Sequence, residues 1–91
     1  MTHSARLSNS YEGEWELYVV TDSLNSRDWP DHDFGRSVPV PTLLERVEAL
    51  ASLGYLIADG ALWEWQELPS GHAERVRLLA AVDVRPIGGM A

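Results

Sequence analysis

Between Val40 and Tyr55 the apolar positions recur with a helical period. Leu43, Leu44, Val47, Leu50 and Ala51 share one face, and Glu45, Arg46, Glu48 and Ser52 fall largely elsewhere. Thr42 with Glu45 three residues on has capping-box spacing and Pro41 is tolerated in a first turn, so the helix starts near 41. Gly54 can take the left-handed conformation that closes it. Elsewhere the period is two. Glu14 to Thr21 sets Trp15, Leu17 and Val19 against Glu14, Glu16, Tyr18 and Val20. Ala5 to Asn9 alternates weakly before a turn at Ser10 to Gly13, which makes an N-terminal hairpin. After a turn at Ala58-Asp59-Gly60, Ala61 to Leu68 places Trp63 and Trp65 on one face and Leu62, Glu64, Gln66 and Leu68 on the other. A second turn at Pro69-Ser70-Gly71-His72 leads into Glu74 to Arg85, where Val76, Leu78, Ala80, Val82 and Val84 alternate most cleanly, until Pro86 ends the strand.

This order predicts an α+β domain of two layers: one helix packed on a mainly antiparallel four-stranded sheet, ββαββ. Trp15, Leu17, Val19, Trp63, Trp65, Val76, Leu78 and Val82 would face Leu43, Val47 and Leu50. Residues 22–41, rich in Pro, Asp, Asn and Ser, read as a long loop that Trp29 and Phe34 pin to the core. The whole chain, 1–91, makes a single domain, ordered from Ala5 to Arg85 and ending in a tail from Pro86.

Composition narrows the chemistry. The absence of cysteine removes disulfides, thiol nucleophiles and thiolate zinc sites, and the seven basic residues are all arginine, so no Schiff-base lysine exists. A net charge of −7 repels phosphate backbones and anionic membranes. Neither a membrane-spanning run nor a signal-peptide core is visible, and the expectation is a cytoplasmic protein that binds neither nucleic acid nor membrane.

WELYVV, the helix ending in LGY, WEWQELP and VDVRP together resemble a family of short actinobacterial proteins catalogued as a domain of unknown function. The resemblance covers nearly the whole chain. It implies a bacterial, cytoplasmic, single-domain protein and carries across no catalytic or binding residue.

No catalytic, cofactor or metal constellation is expected. In an extended Asp31-His32-Asp33 the two carboxylates point one way and the imidazole the other, which is poor for chelation. Catalysis would rest on His32 with Asp28 or Asp33, a pairing common in ordinary loops. The leading expectation is therefore a non-enzymatic protein-binding or regulatory module with an unidentified protein partner, self-associating as a homodimer. Its interface would be the sheet face opposite the helix, at Tyr18, Val20, Leu62, Leu68, Leu79 and Ala81, with Glu14, Glu16, Glu64, Arg75 and Arg77 as a polar rim. One alternative is a small enzyme or ligand-binding protein using the 22–41 loop and the Trp63/Trp65 strand, marked by a closed pocket joining His32 to those tryptophans. A second is an acidic nucleic-acid mimic, with Glu12, Glu14, Glu16, Asp31 and Asp33 aligned on one surface to block a basic partner.

Overall fold

The computed structural model describes residues 3–11, 13–68 and 77–87. Strands β1 (His3–Tyr11) and β2 (Glu14–Val20) form the expected hairpin. There follow one turn of 3-10 helix (Ser26–Asp28), β3 (Asp31–Asp33), the helix α1 (Leu43–Ser52), β4 (Tyr55–Ile57), β5 (Glu64–Leu68) and β6 (Arg77–Pro86). All the pairings are antiparallel, in the order β3-β2-β1-β6-β4. β5 pairs with residues 77–81 of β6 and β4 with residues 84–86, so these two short strands lie end to end along one edge of β6.

The fold is thus mostly β, a curled six-stranded sheet with one short helix, and the ββαββ sheet of four strands is corrected. β3 and β4 account for the difference. Each has three residues, too few to display a period of two; β3 lies in the polar 22–41 stretch and β4 begins one residue after Gly54. Gly54, at φ +94°, does turn the chain out of the helix.

The core sits on the concave face of the sheet. Ala5 and Leu7 of β1, Trp15, Leu17 and Val19 of β2, and Ala80, Val82 and Val84 of β6 are all buried. The register sets Leu7 between Leu17 and Ala80 and Ala5 between Val19 and Val82, so cross-strand neighbours fill the same layer. Each fully buried large side chain here contributes roughly 1.5–3 kcal/mol. Beyond Ser8 the β1–β6 register stops, and the Asn9 side-chain oxygen accepts the Leu78 N–H at 2.8 Å in place of a backbone carbonyl.

Residues 22–41 are tied along the free edge of β2. Val19 N donates to Pro30 O, Phe34 N to Trp15 O and Trp15 N to Arg36 O, while the Trp15 indole N–H reaches Ser37 O at 2.9 Å. Trp29 stacks flat on Tyr18, with ring centroids 6.1 Å apart, and Phe34 packs against the core.

The helix does not meet the sheet as its apolar period suggests. Ala49 and Leu50 are buried and Leu53 is half-buried against the core, but Leu43 and Val47, expected to face the sheet with Leu50, are exposed. Of the sheet residues expected opposite them, Trp63 precedes β5 and is half-buried, Trp65 is largely exposed, and Val76 lies outside the described residues. Ala49, Leu53 and Leu50 are i, i+4 and i+1, a face centred about a quarter-turn from the Leu43/Val47 line.

Candidate functional site

The surface that stands out is the outward side of α1. Its start is held rigidly. The Thr42 hydroxyl accepts from Glu45 N at 3.2 Å, the Glu45 carboxylate accepts from Thr42 N at 3.0 Å, and the same carboxylate oxygen is 2.7 Å from Arg36 Nη2. The Arg36 hydrogen bond, followed by the Thr42 N–H, holds the Glu45 carboxyl down at about 2. An ionised Glu45 in the first turn also complements the helix dipole.

From that anchored end, Leu43, Leu44, Val47 and Ala51 follow one another at helical neighbour spacing, and all four are exposed: Leu43 is 54%, Leu44 66% and Val47 37% accessible. Val40, just before the cap, is exposed as well. Single exposed apolar residues are ordinary, whereas a continuous stripe along one helix marks a contact surface.

One flank of the stripe is aromatic. The Arg46 guanidinium lies 4.6 Å from the Trp63 ring centre and 5.5 Å from that of Trp65, and Trp65 in turn meets Trp15 edge-on at 6.4 Å. Burial lowers the pKa of Arg46; its guanidinium faces the two indoles, Nε donates to Thr42 O at 3.2 Å and Nη1 is buried without a hydrogen-bond partner. Trp65 remains 45% exposed, with Glu67 on the same side of β5.

The other flank is an open cleft of about 390 Å3 between β3 and α1, lined by His32, Asp33, Phe34, Arg36, Glu45, Glu48, Ala49 and Ser52. His32 packs edge-on against Phe34, with centroids 4.7 Å apart. No pocket among those described joins His32 to Trp63 or Trp65; the imidazole and the indoles lie on different flanks of α1.

Residues 1–91 match a family described as a family of unknown function. The chain belongs to DUF6303. No curated protein and no solved structure matches it. Membership of DUF6303 agrees with the resemblance carried by WELYVV, WEWQELP and VDVRP, and it assigns no residue a role. Among the described residues no helix is long and apolar enough to cross a membrane.

The residues singled out in the sequence are distributed as follows. Tyr18, Val20, Leu79, Ala81 and Leu68 do occupy the convex face, but each is only half-exposed and Trp29 covers Tyr18; Leu62, 81% exposed, lies outside any strand. Glu64 and Arg77 join that face, and Arg75 lies outside the described residues. Asp31 and Asp33 point outward opposite Tyr18 and Glu16, with His32 on the core side opposite Leu17. Burial first, then Asp31 and Asp33, raise the Glu16 pKa. Glu14 shares this face and Glu12 is outside the described residues; Arg6, opposite Tyr18 on β1, borders the acidic group on the side away from β3. Of the stripe residues, Leu43 and Val47 are the two that the sequence pattern sets against the sheet. The only sequence signal against that was the length of the stripe, wider than Ala49 and Leu50 need to fill the core.

Proposed function

We propose that this protein is a non-enzymatic protein-binding module whose docking surface is the outward face of α1 with Trp65, rather than the convex face of the sheet. The observation that carries the reading is the exposed stripe of Leu43, Leu44 and Val47 on a helix whose start is locked by a capping box and an ion pair. A rigid apolar ridge loses little entropy when it is covered, which is what a docking element requires. Among the exposed large apolar side chains, Leu43, Leu44 and Val47 share one helix face, whereas Leu24, Leu62 and Ile87 lie singly elsewhere; the convex strand positions Tyr18, Val20, Leu68, Leu79 and Ala81 are half-covered, so the support for self-association through that face is the weaker.

The mimic reading draws on four carboxylates sharing one face, Glu14, Glu16, Asp31 and Asp33, a group confined to two neighbouring strands and bordered on β1 by Arg6. The enzyme reading needed a pocket uniting His32 with the indoles, and the cleft at His32 is lined on the α1 side by Glu45, Glu48, Ala49 and Ser52 instead.

The test is quantitative affinity capture from the native host with wild type, Leu44→Gln/Val47→Gln and Leu79→Gln proteins. Loss of a stoichiometric partner only in the α1 variant supports the docking surface. Loss only in Leu79→Gln returns the interface to the convex face.

A further inference from the structure

We infer that the occupant of this surface is an amphipathic helix with a basic margin from another protein, an inference that rests on the docking surface proposed above. The charges around the stripe point to it. Glu48 and Glu67, both exposed, flank the stripe and Trp65. Near the stripe Arg36 is paired with Glu45, and Arg46 is turned away from solvent over the two tryptophans, half-buried. Arg6, Arg77 and Arg85 belong to the opposite face of the sheet. An apolar surface bordered by carboxylates is complemented by an apolar surface bordered by Lys or Arg.

A second copy fits poorly, because two-fold pairing of the stripe brings together two surfaces with the same acidic margin and two chains of net charge −7. A lipid surface fits poorly as well, since helices that lie on membranes carry basic polar faces, whereas α1 offers Glu48 beside its stripe. A helical occupant is favoured over an extended one because the exposed positions form i, i+3 and i+4 ridges without free backbone groups, and such ridges seat the ridges of another helix. At 1.5 Å per residue the ten residues of α1 span about 15 Å, room for about three turns of partner.

The probe is a stapled helical peptide of about 14 residues with Leu on one face and Lys on the other, alongside its Leu/Glu counterpart, each titrated into isotope-labelled protein and followed by amide shifts. The Leu/Lys peptide is expected to move the amides of residues 43–52 and the Trp65 indole. Its affinity should fall several-fold between ~0.05 M and ~0.3 M salt. Leu44→Gln/Val47→Gln, which leaves the charge unchanged, should weaken it by about tenfold while the sheet amides stay in place. Equal binding of the Leu/Glu peptide overturns the basic partner and leaves the docking surface standing. Shifts confined to the Glu16, Asp31 and Asp33 face, or none from either peptide, overturn both. Co-sedimentation with zwitterionic vesicles, abolished by the same double substitution, would put lipid on the stripe and overturn the protein partner.

Discussion

The pKa values of two carboxylates, Glu45 and Glu16, are displaced in opposite directions, and each reports on one element. Glu45, held at about 2 against an ordinary 4.5, favours the folded state when ionised; its contribution is present above about pH 4.5 and is lost as pH falls towards 2. Glu16 is raised, so the folded state holds its proton more tightly than the unfolded chain does, and stability is gained on protonation and lost as pH rises through its folded pKa. Asp33 directly opposite and Asp31 diagonal to it make β2–β3 a like-charged pairing. Glu16→Gln is therefore expected to stabilise the protein at pH 7, by no more than about 0.5 kcal/mol given its partial exposure. Urea denaturation reads this, and a destabilised variant would mean that Glu16 has a favourable partner. Glu45→Gln is expected to lower the melting temperature at pH 7 and to flatten its decline between pH 5 and pH 2. An unchanged acid limb would sink the assignment of that limb to the cap.

The helix is the element that separates periodicity from orientation. Leu50→Ala, at a buried position, should cost about 2–4 kcal/mol, whereas Leu44→Gln on the outward stripe should change stability by less than about 0.5 kcal/mol. Comparable costs would mean that the stripe faces the sheet in solution. The helix boundaries were readable because the Thr42/Glu45 box and Gly54 are local signals, and local signals survive without tertiary information. Its orientation was not readable, since an amphipathic pattern states that a face is apolar and not what covers it. The same division holds in the sheet. Trp15, Leu17 and Val19 of β2 and Ala80, Val82 and Val84 of β6 were visible as alternation, while β3 and β4 depend on pairing partners distant in sequence. Asp31-His32-Asp33 lies in the stretch read as a loop, and nothing local to it signals its place as an edge strand on β2. Arg46 between Trp63 and Trp65 had no sequence signal at all, because a helix and a strand some twenty residues apart meet only in the folded chain.

At the scale of the whole molecule, the question is how the exposed apolar surface coexists with the charge. Six strands bury their concave side with Ala49 and Leu50, Trp29 shields part of the convex side at Tyr18, and the stripe on α1 is left uncovered. With Glu48 beside that stripe and a net charge of −7 on each chain, like-charge repulsion between copies opposes stripe-on-stripe pairing, and at about 0.15 M salt this repulsion still acts over roughly 8 Å. The isolated chain is therefore expected to sediment as a monomer at micromolar concentration. Raising salt to about 1 M, where the screening length falls to about 3 Å, is expected to allow weak association that Leu44→Gln/Val47→Gln prevents. A salt-independent dimer that survives this double substitution but dissociates with Leu79→Gln would place the contact on the convex sheet face and remove α1 from the interface.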